Sequence, residues 1–258
     1  MSSNASSLAG LQNFPQLVAH RGNAYEFPEN TLPALRSALE LGATHIEFDV
    51  QLSSDGVPMV LHDALLKRCA GLERDALEMK WAELQEIGVG EAQRFGERYA
   101  DVCIPSLVQA VELLSGFPQA TAFVELKRAS LLKFGHEFMV QRVSELLKPV
   151  AEQVVLISFD LPTIHHAQKT TRYPVGWVLT EYSSLTELKA QATVPNYLFC
   201  DHLKLPDDDS RLWRGPWRWA IYEVTHRALA HQLVSRGAQL IETMEIRRML
   251  RELRLSRE

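Results

Sequence analysis

The sequence predicts an α/β fold, a TIM (β/α)8 barrel. Apolar, strand-like runs alternate with helix-length amphipathic stretches through most of the chain. Eight of these runs qualify as parallel strands, starting near Leu17, His45, Thr121, Val154, Val175, Tyr197, Trp219 and Gln239. Eight alternating units over roughly 250 residues is the pattern of such a barrel. A doubly wound open sheet is the rival, but the turn after the first run reads His20-Arg21-Gly22-Asn23-Ala24-Tyr25, not the GxGxxG of a phosphate loop.

In chain order, Met1 to Gly10 is small and polar, and residues 1–14 read as a flexible lead. Leu17 to Ala19 is the first strand. Pro28 holds Phe27 extended, and Asn30 and Thr31 offer an N-cap for a helix from about Leu32 to Leu41, stopped by Gly42. In the second strand, His45, Glu47 and Asp49 point to one side and Ile46, Phe48 and Val50 to the other. The next apolar run, Val57 to Leu61, comes too soon for a parallel neighbour, which needs about a dozen linking residues. Ser53-Ser54-Asp55-Gly56 reads instead as a turn, so Gln51 to Leu61 forms a hairpin that brings His62 back level with Glu47 and Asp49.

A helix is expected around Trp81 to Ile87, then a charged loop from Gly88 to Asp101 and a helix capped by Ser106. Strand and helix then alternate steadily: strands at Thr121 to Lys127, Val154 to Phe159, Val175 to Thr180, Tyr197 to His202, Trp219 to Thr225 and Gln239 to Thr243. The intervening helices fall near Lys133 to Leu147, after Pro162, and near Ser184 to Gln191, Arg227 to Arg236 and Glu245 to Leu253. No repeat or linker interrupts the pattern, so one domain over residues 1–258 is expected.

The 258 residues are 46% hydrophobic and 23% charged, an ordinary globular composition. A formal net charge of -5 argues against a nucleic-acid partner bound through its phosphates. Cys69, Cys103 and Cys200 show no metal or redox spacing and read as free thiols of a reducing compartment. The start lacks a basic and an apolar signal region, and no apolar run reaches the roughly 18 residues of a membrane span. A cytoplasmic location without membrane insertion is expected; oligomeric state is not encoded legibly.

In a TIM barrel the active site lies at the C-terminal ends of the strands. His20 and Arg21 end the first strand, Glu47 and Asp49 lie on the second, and Glu125 and Lys127 repeat the i, i+2 polar pattern on the third. Three carboxylates converging in one mouth repel one another unless a cation or protons intervene. Oxygen ligands without cysteine suit Mg²⁺ or Ca²⁺. Arg21 and Lys127 complement a phosphate, and His20 and His62 have reference pKa values suited to general acid and base work. Together these residues point to cleavage of a phosphodiester.

The ordered set His20-Arg21-Gly22, Pro28 to Thr31 (PENT), Glu47 and Asp49, Asp55-Gly56, His62-Asp63, and Glu125 with Lys127 resembles the glycerophosphodiester phosphodiesterase family. The resemblance is dense from Val18 to Asp63, clear around Glu125 and thinner beyond. It implies a TIM barrel with an insertion after the second strand. It also implies metal-dependent hydrolysis of a small glycerophosphodiester to glycerol 3-phosphate and an alcohol. Glu47, Asp49 and Glu125 would hold the metal, His20 and His62 form the acid–base pair, and Arg21 and Lys127 bind phosphate. Attack by water and attack by a substrate hydroxyl both stay open. The C-terminal third departs from the family pattern: Tyr222-Glu223-Val224-Thr225 stands where W-T-V-N is common, and Glu242-Thr243 where a T-D pair is. A lysophospholipase D-type activity on lipids is the alternative, and a non-catalytic barrel that binds phosphorylated metabolites a further one.

The remaining histidines, among them His45, His136, His165, His166, His202, His226 and His231, read as ordinary surface or core residues. Asp63 reads as a turn or supporting residue, and Glu29 as either a partner of Arg21 or part of a helix-entry turn. The segment Arg211 to Trp219, with three arginines and three tryptophans, reads as a connection with packed tryptophans rather than a membrane-surface patch.

Overall fold

In the computed structural model, which describes residues 15–254, the eight expected parallel strands close into a barrel. The expected lead over residues 1–14 lies outside the described residues. The strands are β1 (Gln16–Ala19), β2 (His45–Leu52), β4 (Thr121–Leu126), β5 (Val154–Ser158), β6 (Val175–Val178), β7 (Tyr197–Asp201), β8 (Arg218–Tyr222) and β9 (Leu240–Thr243). A ninth, β3 (Pro58–Val60), is the antiparallel return of the hairpin. Parallel pairing of β1 with both β2 and β9 closes the ring.

Strand alternation divides the apolar residues into two layers. Ile46, Phe48, Val50, Ala122, Val124 and Leu126 face the surrounding helices, as expected. Val18, Phe123, Val155, Ile157, Val178, Phe199, Ala220 and Leu240 fill the barrel interior. Phe123 and Phe199 meet edge-on there, with ring centroids 5.0 Å apart. Polar side chains at the C-terminal ends of the strands lie above this packed floor, which is how the fold makes a site. His45 has the ordinary role expected of it, stacked on Phe123 and held neutral by burial and by Arg218, with its pKa lowered to about 4.

The hairpin forms with Val50 opposite Val60 and Leu52 opposite Pro58, so β2 runs two residues beyond Val50. Its turn needs Gly56, whose φ is +75°. Asp55 does more than turn the chain: its carboxylate accepts from Ser53 Oγ at 2.7 Å and from Trp81 N at 2.9 Å, tying the hairpin tip to the insertion. Met59 on β3 and, between β3 and β4, Leu61, Leu66, Cys69, Ala76, Met79, Leu84, Val89 and Ile104 build a second small core.

Several boundaries differ from expectation. The helix expected over Trp81 to Ile87 is one turn, Trp81–Leu84, and the loop after it contains a further turn at Ala92–Phe95. These segments are too short to be stable by helix propensity, so packing in the second core decides them. The helix expected near Lys133 to Leu147 is two helices, Arg128–Phe134 and His136–Leu147, divided at Gly135 with φ +83°. Ser106 caps its helix with a full capping box with Gln109. Thr31 caps Leu32–Glu40, whereas Asn30 turns into the site.

Trp217 and Trp219 are buried, and Trp213 stacks on Tyr182 at 3.9 Å, so the tryptophans of Arg211 to Trp219 pack against the barrel. Cys69, Cys103 and Cys200 are free thiols. Among the described residues, no helix is long and apolar enough to cross a membrane.

Candidate active site

The turn after β1 combines two successive residues at positive φ with a close approach to the first helix. Arg21 has φ +55°, in the left-handed region that costs a non-glycine residue about 1 kcal/mol or more, and Gly22 follows at φ +82°. A Cβ on Gly22 would lie 2.6 Å from the carbonyl carbon of Ala34, so the close approach of this turn to the first helix requires glycine. Arg21 N donates to Glu47 Oε2 at 3.1 Å, and Asn30 N donates to Arg21 O at 3.1 Å. The strained turn is thereby clamped between β2 and the helix entry, and it aims both His20 and Arg21 inward.

Register does the rest for the carboxylates. Asp49 on β2 pairs directly with Glu125 on β4, so their side chains lie on the same face of adjacent strands. Glu47, one pleat below, completes a group in which one oxygen from each of Glu47, Asp49 and Glu125 lies within 4.8 Å of the others. All three are buried, and Glu47 Oε1 has no hydrogen-bond partner. Lys127 Nζ sits 3.0 Å from Asp49 Oδ1 and 2.9 Å from Glu125 Oε1. The Arg21 guanidinium lies 2.8 Å from Glu29 Oε1 and 3.3 Å from Asp49 Oδ2, and Asn30 Nδ2 donates to Asp49 Oδ2 at 2.7 Å.

This crowding sets the protonation preferences. Burial, then the neighbouring charges of Asp49, Glu242 and Glu125, pushes the Glu47 carboxyl well above the usual carboxylate range. Burial and the charge of Asp49 likewise raise Glu125. Burial acts the same way on Asp49, but Lys127, Arg21 and Asn30 outweigh it and hold that carboxyl below its ordinary value. Lys127 is raised, because the attraction of Asp49 and Glu125 exceeds the penalty of burial. A buried set of oxygen donors, one atom of which is unpartnered, fits a hard divalent cation such as Mg²⁺ or Ca²⁺.

The hairpin returns His62 to the same cavity as His20, as expected. Leu61 N donates to Asp49 O at 3.0 Å, and Gln51 Nε2 donates to His62 O at 2.9 Å. Gln51 is itself held by Ser130 Oγ at 2.6 Å. His62 Nδ1 lies 2.5 Å from Asp63 Oδ1. Arg68, from the insertion, bridges Asp63 at 2.6 Å and both oxygens of Glu29 at 2.8 Å each. Of the two readings of Glu29, the structure realises the partner of Arg21, and Asp63 supports His62.

His20, Arg21, Glu47, His62, Glu125, Lys127, Tyr222 and Glu242 therefore line one cavity of about 90 Å³, with Ile157, Phe159, Val178 and Phe199 as its apolar wall. Asp49 lies beneath them, reached through Lys127 and Arg21. Every site residue expected from the sequence is brought together. Gln51 and Arg68 were missed; Asn30 was expected only as a cap and within the PENT motif, and Glu223 and Glu242 only as departures from the family pattern. Gln51 carried a signal, since it continues the i, i+2 pattern of Glu47 and Asp49; Arg68 carried none.

Comparison with known proteins fits this geometry. Residues 20–208 match the model of the glycerophosphoryl diester phosphodiesterase family. The chain belongs to that family. A glycerophosphodiester phosphodiesterase of Caldanaerobacter subterraneus is 32% identical over 154 residues, spanning 59% of this chain and 61% of the relative. Human glycerophosphodiester phosphodiesterase 1 is 33% identical over 94 residues, 36% of this chain and 28% of the relative. The match thus spans about three-fifths or less of these relatives' lengths. An Oleispira antarctica phosphodiesterase solved with the product sn-glycerol-3-phosphate superposes with a TM-score of 0.82 at 23% identity, covering 93% of this chain and 97% of that one. A Thermotoga maritima glycerophosphodiester phosphodiesterase gives 0.70 at 22% identity, covering 93% and 98%. At these identities the structures speak to the barrel alone.

Proposed function

We propose that this member of the glycerophosphoryl diester phosphodiesterase family hydrolyses glycerophosphodiesters to glycerol 3-phosphate and an alcohol. The observation that carries the reading is the convergence of Glu47 and Glu125, with Asp49 clustered beside them, on one small cavity shared with two cations and two histidines. Residues 1–258 act as one unit in this reading.

Glu47, Asp49 and Glu125 would hold Mg²⁺ or Ca²⁺, which when bound supplies Lewis-acid stabilisation of charge on a phosphoryl or hydroxyl oxygen. Arg21 and Lys127 would bind the phosphate oxygens, the guanidinium as a planar fork and the ammonium as a point charge. Glu29 holds Arg21 for this task. One histidine takes the proton of the attacking water, or of a substrate hydroxyl whose cyclic phosphate product water then opens, as the new P–O bond forms. The other returns a proton to the alcohol oxygen as the old P–O bond breaks. Arg68, by fixing both Asp63 and Glu29, ties the orientation of His62 to that of Arg21.

A second reading, lysophospholipase D-type cleavage of a lipid, is favoured by one observation. A groove of about 650 Å³ shares His62 and Lys127 with the site and is lined by Ala64, Leu65 and Ala129 beside Lys67 and Arg128. A panel of glycerophosphocholine, glycerophosphoethanolamine, glycerophosphoinositol and lysophosphatidylcholine, assayed with Mg²⁺ or Ca²⁺, separates the two. Glycerol 3-phosphate from the water-soluble diesters supports the leading reading. Turnover of the lysolipid alone replaces it with the second, and turnover of neither rejects both.

A further inference from the structure

Of the two places where the C-terminal third leaves the family pattern, one, Glu223, delivers a carboxylate to the His20 imidazole, and the other, Glu242, stands on the wall of the same cavity. Glu223, at the end of β8 where the pattern has a threonine, places Oε2 2.6 Å from His20 Nδ1. Its other oxygen accepts from Met244 N, also at 2.6 Å, just past the end of β9. His20 N in turn donates to Thr243 O at 3.0 Å, and Val224 N to Glu242 O at 3.0 Å. The ends of β1, β8 and β9 are thus laced together, and Glu223 is held at both oxygens before any substrate arrives. His20 Nε2 is left directed to the cavity, 3.8 Å from Glu47 Oε2.

We propose that Glu223 is a positioning residue, fixing the ring plane of His20 and placing its Nδ1 hydrogen so that Nε2 faces the reacting atoms. A carboxylate can only accept, so a neutral His20 facing Glu223 carries its hydrogen on Nδ1 and its lone pair on Nε2. Without that partner the ring is free to rotate about its side-chain torsions and to exchange tautomers, and only a fraction of molecules present the reactive nitrogen. Glu242 has a different place: it is buried at the cavity wall with Oε1 unpartnered, and it touches neither His20 nitrogen through a hydrogen bond. The assignment therefore concerns Glu223 alone. It rests on the proton-transfer role proposed for His20.

The test combines kinetics on glycerophosphoethanolamine with imidazole ¹⁵N spectra of the Mg²⁺-loaded full chain. Glu223→Ala lowers kcat about 10- to 100-fold, the range for losing an orienting partner, with KM changed less than about threefold. Glu223→Gln, whose amide oxygen still accepts from Nδ1–H, recovers part of the loss. In a His20→Ala background Glu223→Ala removes no further activity, as expected of a residue acting through His20. Recorded at a pH high enough for His20 to be neutral, the spectra show its hydrogen on Nδ1 in the parent protein and a tautomer mixture in Glu223→Ala. Unchanged kcat in Glu223→Ala, or a His20 tautomer indifferent to Glu223, overturns the proposal. So does an equal loss in the His20→Ala background. If His20→Ala keeps full activity while the tautomer still follows Glu223, the contact stands and the role of His20 is what fails.

Discussion

The two sides of the barrel mouth are built on opposite electrostatic plans. On the side of β1, β2, β4 and the hairpin, carboxylates and cations interleave: Asp49 meets Lys127, Arg21 and Asn30, Glu29 meets Arg21 and Arg68, and Asp63 meets His62 and Arg68. On the side of β8 and β9, Glu223 and Glu242 have no lysine or arginine beside them among the described ion pairs; His20 pairs with Glu223, and the charge of Glu242 is favoured first by His20 and last by Arg21. Burial, further raised by Glu223 and Glu125 and opposed by His20, pushes the Glu242 carboxyl up to about 7. His20 responds in the opposite sense to burial: desolvation disfavours its charge, but Glu242 and Glu223 outweigh it and raise its pKa. His62 sits on the compensated side, where burial with the cations Arg21 and Lys127 outweighs Asp49 and lowers its pKa. The compensated side suits an anionic phosphate and a cation between carboxylates; the other side holds one histidine in place.

The contrast can be broken most severely at the two histidines. His62→Ala and His20→Ala should each lower kcat by roughly 10²- to 10⁴-fold, the usual contribution of an acid–base group. Calorimetric titration with Mg²⁺ should show nearly unchanged affinity in both. Glu125→Gln should weaken Mg²⁺ or Ca²⁺ binding and activity together, because it removes a charge from the carboxylate group itself. Metal binding unaffected by this change would remove Glu125 from the ligand set.

A smaller effect is expected at the backbone of the same side. Gly22→Ala should destabilise the fold by about 1–3 kcal/mol through strain at positive φ and the clash with Ala34, read as a lower urea midpoint at unchanged slope. A midpoint unchanged from the parent would show that the turn can move away from the first helix. Arg68→Ala should cost roughly tenfold in kcat, by releasing Asp63 and Glu29 at once. The smallest effect sharpens the comparison from the other side. Glu223→Ala should leave Mg²⁺ affinity within about twofold, since its nearest partners are His20 and Met244 rather than the carboxylate group.

The compensated side was largely legible in the sequence because it is built from local rules. Strand alternation placed Glu47 with Asp49 and Glu125 with Lys127, and the Asp55-Gly56 turn announced the hairpin that returns His62. Even the eight-strand count followed from alternation alone. The other side was not legible in the same way. Glu223 and Glu242 are single residues at strand ends, and their bearing on His20 comes from ring closure between β1 and β9, about 220 residues apart in sequence. They were visible as departures from a family pattern, without a reason for them. The insertion was illegible for another cause: its one-turn helices are decided by burial of Leu66, Leu84 and Val89, not by any periodicity of their own. Arg68 lies on a further one-turn helix, Lys67–Ala70, so nothing in its neighbours marks it.

The account stands or falls on the carboxylates of β2 and β4 acting through a bound divalent cation. The direct measurement is ³¹P NMR of glycerophosphoethanolamine hydrolysis by protein freed of metal with EDTA, then supplied with Mg²⁺ or Ca²⁺, in the parent chain and in Glu47→Gln. The account predicts no glycerol 3-phosphate without metal, its appearance on adding metal to the parent, and little or none in Glu47→Gln. Full turnover in EDTA, or a Glu47→Gln enzyme as active as the parent, would contradict it.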